Sequence, residues 1–183
     1  LLIIMAGFFV IAAGMMQQFS SYASTGALGA AVGAMGVTVC MIGQLFGKFG
    51  LGWLCDHTGA RVSGVVASIF GAAGIAIVLF SVDNAMMFYV GVFLFGIGFA
   101  ALNIVPPMAC RQAFGQKDYA NIFSMVATGL NVFSGFSALI YAQIFDITGS
   151  FAGCFYLIIG FYVVTLICSL VIVPMGRRSW AKK

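Results

Sequence analysis

The sequence contains very little charge. Only 7% of its 183 residues are Asp, Glu, Lys or Arg, against about 25% in an ordinary soluble domain. Apolar residues make up 63%, and the mean hydropathy is +1.15. A soluble protein needs polar side chains to cover its surface, whereas a protein in lipid presents apolar side chains outward and pairs its backbone groups within helices. The composition therefore excludes a soluble globular domain and predicts an integral membrane protein.

Residues that form metal sites or disulfide frameworks are also scarce. His57 is the single histidine, and the five cysteines stand singly in or beside apolar runs, without a CxxC pair. Scattered cysteines of this kind favour packing positions over ligand or disulfide positions. We therefore expect no metal site, no cofactor and no nucleic-acid partner.

Long apolar runs separated by short polar segments predict six transmembrane helices. A helix needs about 20 mostly apolar residues to cross a bilayer, whereas a membrane β-barrel would show segments of about ten residues of alternating polarity. The sequence thus predicts an all-α membrane protein with helices at approximately 1–21, 28–54, 62–80, 85–107, 120–145 and 152–174.

The eight basic residues favour one orientation. Lys48 and Arg61 flank the second connection, Arg111 and Lys117 flank the fourth, and the other four lie in the C-terminal segment GRRSWAKK. Because Lys and Arg are retained on the cytoplasmic side, we expect a multi-pass protein of the cytoplasmic membrane with its C-terminus in the cytoplasm. Every Asp, Lys and Arg is expected in a connection, at a helix end or in the tail.

The chain begins inside its first apolar run, without an initiator Met or a basic leader. We therefore expect no signal peptide and a further segment before residue 1.

Glycines at four-residue spacing, Gly29 with Gly33 and Gly43 with Gly47, predict close helix packing. Hinges in a moving protein are the other interpretation of these glycines.

The second connection, GKFGLGWLCDHTGAR, contains a spaced motif of glycine, aspartate and arginine, formed by Gly52, Asp56, Gly59 and Arg61. In this order and spacing the motif resembles the cytoplasmic-loop signature of the major facilitator superfamily. The stretches GIGFAALNIVPP and FDITGSF are similar to the regions of helix 10 and of the helix 11–12 turn in that superfamily. The nearest likeness is to bacterial oxalate/formate antiporters and monocarboxylate transporters.

The superfamily carries a strong copy of this motif between helices 2 and 3 and a weaker one between helices 8 and 9. His57 and Ala60 stand here where basic residues are common, which is typical of the later copy. The resemblance therefore implies that residues 1–183 form a single six-helix domain, helices 7–12 of a twelve-helix transporter, whose N-terminal half is absent from this chain.

The resemblance also implies that the motif acts as a latch at the cytoplasmic side and tunes a conformational equilibrium. From the residue types, Gly52 would allow two helices to approach closely and Gly59 would make a tight turn. Asp56 would cap a helix N-terminus and pair with a cation such as Arg61. The alternative is that Asp56 and Arg61 are solvated loop charges.

The resemblance implies a secondary transporter that moves a small solute by alternating access, with an organic anion such as a monocarboxylate as the first expectation. The runs that correspond to helices 8 and 11 carry no central cation, which argues against oxalate itself. A sugar, a drug or an amino acid stays open as the solute, and so does a non-transporting sensor or assembly protein with the same fold. The implied partners are membrane lipid, the solute with any coupling ion, and the N-terminal half.

Rival classes lack the residues that they require. An intramembrane enzyme would need a nucleophile beside a base, or paired acids within the apolar runs, and neither is present. A channel would need a carbonyl-lined glycine filter or a charged ring, and neither is visible. We therefore do not expect an enzyme.

Neutral polar residues within the runs are the candidates for a solute cavity, because transporters of this kind bind near the bilayer midplane between two halves. The candidates are Asn131, Gln44, Gln17, Gln18, Asn103 and Tyr141. Asn131 shares one helical stripe with Ser124, Thr128, Ser134 and Tyr141. Such residues also bond to their own helix or bridge helices, so the sequence leaves both roles open.

Overall fold

The computed structural model describes residues 2–25, 28–81, 84–115, 119–149 and 151–180. These residues form α1 (Leu2–Thr25), α2 (Ala30–Thr58), α3 (Ala60–Phe80), α4 (Ala85–Phe114), α5 (Tyr119–Thr148) and α6 (Ala152–Trp180). No strand occurs in these ranges. Each helix contains a stretch long and apolar enough to cross a bilayer. The predicted all-α class and the six predicted spans are confirmed.

A single residue, Gly59, separates α2 from α3. α2 ends at Thr58, four residues later than predicted, and Gly59 has a φ of +92°. Glycine adopts this conformation without a Cβ clash, so Gly59 makes the tight turn expected of it. Because α2 is long, Lys48 lies ten residues before its end. The expectation that every charge falls in a connection, at a helix end or in the tail is wrong for Lys48.

α4 continues through Pro106 and Pro107 and ends seven residues beyond the predicted boundary. Prolines are tolerated in membrane helices because neighbouring helices and local adjustments satisfy the freed backbone groups. The helix stops at Gly115, which has a φ of +76° and whose N–H donates to the carbonyl of Arg111 at 3.0 Å. Arg111 therefore lies in the last turn of α4 and not in the connection.

α4 is the central helix, with its largest interfaces against α3 and α2. A Cβ at Gly43 of α2 would collide with the backbone oxygen of Phe93 in α4. One at Gly47 would lie 2.8 Å from the Cβ of Ala100. Small residues are required where helix backbones approach this closely. The close packing predicted for Gly43 and Gly47 is confirmed.

The two glycines of the other predicted pair, Gly29 and Gly33, have different roles. Gly33 packs against α1, where an added Cβ would lie 3.0 Å from the carbonyl oxygen of Ser20. Gly29 precedes α2 with a φ of +86°, and a Cβ there would meet no atom within 4 Å. Gly33 therefore serves packing, whereas Gly29 serves the turn.

Candidate functional site

A groove runs between α1, α4 and α5. Two cavities of about 290 Å³ and 360 Å³ lie along it. Both are lined by Val10 of α1, Leu102 of α4 and Ser134 of α5. Because the cavities share one residue from each helix, they form one continuous depression. Its size lies in the range of small-molecule sites, which usually measure about 300–1,000 Å³.

Four of the six predicted cavity residues lie in this groove. Asn103 and Asn131 line one cavity, and Gln17 and Gln18 line the other. Gln18 is half-buried and the other three are exposed. Among the residues that the structure describes, no group hydrogen-bonds to these four side-chain amides. The groove therefore offers amide donors and acceptors to a molecule within it.

Two other polar residues of the α5 stripe, Ser124 and Thr128, bond to their own helix. The Ser124 hydroxyl donates to the carbonyl of Asn121 at 2.7 Å, and the Thr128 hydroxyl donates to the carbonyl of Ser124 at 3.0 Å. This is the local bonding that competes with a binding role for Ser and Thr. Asn131 is the amide-bearing residue of this stripe that faces the groove.

Tyr141 and Gln44 line neither of these cavities. Tyr141 is 1% exposed, and its hydroxyl donates to the backbone carbonyl of Ile11 in α1. It therefore joins α5 to α1 behind the groove. Gln44 is half-buried on the side of α2 that meets α4, where a Cβ at Gly96 would lie 3.0 Å from its backbone nitrogen. Its backbone belongs to the α2–α4 contact.

The turn between α2 and α3 is capped by a side chain from α4. The backbone N–H of Ala60 donates to the Oε1 atom of Gln112 at 3.2 Å. The first N–H groups of a helix have no partner within it, so a side-chain oxygen at this place stabilises the helix start. Sequence reasoning missed Gln112, because it lay in a predicted connection. The glycine at 115, a helix-stop signal, is the one feature that would have placed it on α4.

Three expectations for the loop motif are corrected. Asp56 lies exposed in the last turn of α2 and does not cap a helix, since α3 begins after Gly59 without a side-chain cap from that residue. A Cβ at Gly52 would meet no atom within 4 Å, so Gly52 provides no close helix approach within the described chain. In the same part of the chain, Asp56 and Arg61 form no ion pair with each other.

The described ranges hold no group of three His, Cys, Asp or Glu side chains that would bind a metal ion. All five cysteines are buried and unpaired. The described polar side chains that line the groove are neutral amides and hydroxyls.

Comparisons with known proteins bear on the fold. No family model and no curated protein matches the chain. The crystal structure of an auto-inhibited peptide transporter of the POT family matches 97% of the chain, with a TM-score of 0.72 and 20% sequence identity. The chain has the fold of a transporter half. It spans 36% of the length of that transporter, and at this identity the likeness concerns the fold alone.

In this transporter-half fold, α5 is the helix with the smallest buried share of its span, and α1 has the largest. Three exposed residues of α5, at positions 131, 135 and 138, share one face because they are spaced by four and three residues. The six-helix bundle thus exposes the α5 side of its groove, while α1 and α4 form the packed wall behind it.

Proposed function

We propose that the chain is the C-terminal half, helices 7–12, of a secondary active transporter of the major facilitator superfamily. The transporter moves a small solute across the cytoplasmic membrane by alternating access. The observation that carries the proposal is the groove between α1, α4 and α5. Four side-chain amides that bond no described protein group line its cavities in otherwise apolar helices. A six-helix N-terminal half would cover the exposed side of this groove, which places the solute between the two halves.

The proposed solute is a small organic anion, with monocarboxylates first. The amide N–H groups of Asn and Gln are donors that bond a carboxylate, and such bonds offset the cost of taking the anion out of water. The described residues that line the two cavities include no acidic side chain, which would repel an anion. The resemblance of the loop motif and of the helix 10 region to monocarboxylate transporters supports the same class.

Two other functions are compatible with this groove: transport of a different solute class, and a sensor or assembly role without transport. Amides also bond sugars, amino acids and drugs, and the similar solved structure is that of a peptide transporter. A transporter for one of these would exchange that solute and not a monocarboxylate. A sensor or assembly protein with this fold would exchange none of them.

Counterflow in proteoliposomes of the full-length transporter tests the proposal. The panel contains lactate and formate with a sugar, an amino acid and a dipeptide. We expect saturable lactate or formate exchange, with a raised KM for Asn131→Ala and an unchanged KM for Val132→Ala, since Val132 neighbours Asn131 but does not line the cavities. Exchange of the sugar, the amino acid or the dipeptide without exchange of lactate or formate would overturn the anion assignment. Absence of exchange for every solute of the panel would overturn the transport function.

The turn between α2 and α3 is proposed as the conformational control element of this half. Asp56 and Arg61 lie exposed at either side of the Gly59 turn, where charges are accessible to a moving neighbour. We assign them the bias toward the inward-closed state, which is a population shift and not a contact with solute.

A further inference from the structure

A third cavity, of about 380 Å³, lies at the C-terminal end of α4 and is lined by Pro107, Met108, Arg111 and Tyr119. Pro107 also lines the cavity of the two asparagines, so the two cavities adjoin. The ring of Tyr119 stacks on that of Phe123 with centroids 5.4 Å apart and an interplanar angle of 7°. Phe123 lines the asparagine cavity, so one aromatic wall connects the groove to the end that carries Arg111.

Among the described residues that line these three cavities, Arg111 is the one charged side chain. Its planar guanidinium stays protonated and presents several N–H donors in a geometry that matches a carboxylate. No carboxylate pairs with it in the part of the chain that the structure describes. A cation that pairs with no described carboxylate, at the end of a groove of neutral amides, attracts anions to that end.

We propose that Arg111, with Tyr119 beside it, forms a carboxylate-binding site at this end of the groove, where an anionic solute enters or leaves. This inference rests on the proposed function and deepens it, because it names the group that is recognised and the residue that recognises it. Charge-assisted bonds from a guanidinium are about twice as strong as bonds between neutral groups. The amides at the centre of the groove then hold the solute less tightly than the cation at its end, which allows movement between the two.

The phosphate of an anionic lipid headgroup presents the same negatively charged oxygen atoms as a carboxylate. The experiment must therefore separate a solute from a lipid. It must also give a result that does not depend on transport, so that the site and the proposed function can fail independently.

The test uses the full-length transporter in phosphatidylcholine nanodiscs with Met108→Cys as a reporter, since Met108 lines the cavity. The reporter is labelled with an anionic or a cationic methanethiosulfonate reagent, and each rate is corrected for the reagent's own reactivity. The protein without the substitution gives the background of the five buried native cysteines. We expect the anionic reagent to react about fivefold faster, because a nearby unit charge attracts one reagent and repels the other. Arg111→Gln should abolish this preference and Arg111→Lys should retain most of it.

Two further arms identify the occupant. Lactate should slow the anionic labelling in neutral lipid, and phosphatidylglycerol in the nanodisc should leave that protection unchanged. If phosphatidylglycerol removes the charge preference and lactate gives no protection, the site binds lipid and the assignment to a solute is overturned. Equal rates for the two reagents, or a preference that survives Arg111→Gln, would overturn the site itself.

Counterflow of lactate by the same preparation distinguishes the two proposals. Charge preference and lactate protection without counterflow would leave the site standing and remove the transport function. Counterflow without charge preference would leave transport standing and remove Arg111 from the recognition of the solute.

Discussion

Gln112 of α4 accepts a hydrogen bond from the backbone N–H of Ala60, the first residue of α3, at 3.2 Å. The same helix α4 carries Asn103 and Pro107 into the groove. The turn that holds the loop motif is therefore bonded directly to a helix that lines the proposed solute path. Any displacement of α4 would therefore act on this bond without an intermediate element.

The cap at Ala60 should contribute measurably to stability. Gln112→Ala removes the acceptor, and loss of a helix N-cap costs about 1 kcal/mol, so we expect a lower midpoint of thermal unfolding in nanodiscs. Gln112→Glu keeps a side-chain oxygen at the same length and serves as the matched control, with a midpoint closer to wild type. Equal midpoints for Gln112→Ala and wild type would show that the bond does not stabilise the turn.

Asp56→Asn should change the rate of transport more than the affinity for solute. Asp56 is exposed and lies outside the groove, so its charge acts on the balance of conformations and not on solute contacts. Initial counterflow rates over a range of lactate concentrations separate kcat from KM. A changed KM with an unchanged kcat would contradict the role given to the α2–α3 turn.

The six helices could be predicted from the sequence because the length and polarity of each run are set by the thickness of the bilayer. The ends of the helices could not be predicted, because a hydropathy pattern detects the part of a helix in lipid and not the polar turns that continue beyond it. The α4 end shows this most clearly. The proline pair suggested a stop, whereas the helix continues to the glycine at position 115, and Arg111 and Gln112 thereby move from a connection onto a cavity-lining helix.

The candidate site was predictable in part. Polar amides in apolar runs are costly in lipid unless they face a partner or a cavity, and this argument located Asn103, Asn131, Gln17 and Gln18. It could not separate these from Tyr141, whose partner Ile11 is 130 residues away in sequence. A side chain that reaches a distant backbone carbonyl leaves no local pattern, so only the packing of α5 on α1 reveals its role.

The glycine contacts between α2 and α4 should be intolerant of even one added methyl group. In Gly43→Ala the new Cβ would collide with the carbonyl oxygen of Phe93, and overpacking of this kind costs about 1–3 kcal/mol. Gly50→Ala on the same helix is the control, because its Cβ would meet no atom within 4 Å. We expect a lower unfolding midpoint for Gly43→Ala alone, and equal midpoints for the two variants would contradict the packing.

Tyr141 and Asn131 should differ in the kind of defect that their substitution produces. Tyr141→Phe removes the bond to Ile11, and side-chain hydrogen bonds between membrane helices contribute about 0.6 kcal/mol on average. We expect it to lower the unfolding midpoint slightly and leave the KM unchanged. Asn131→Ala should raise the KM and leave the unfolding midpoint unchanged, since its amide faces the groove and bonds no described protein group. A raised KM in Tyr141→Phe would place that hydroxyl in contact with solute.

Aqueous access to the groove is the most direct measure of the central claim, that the α1, α4 and α5 face is a solute path and not a lipid-facing surface. Asn131→Cys and Val132→Cys place adjacent thiols on and off the groove in a chain whose native cysteines are buried. With the full-length transporter in membranes, a membrane-impermeant maleimide should label Asn131→Cys and leave Val132→Cys nearly unlabelled. Equal labelling of the two, or labelling of Val132→Cys alone, would contradict the account.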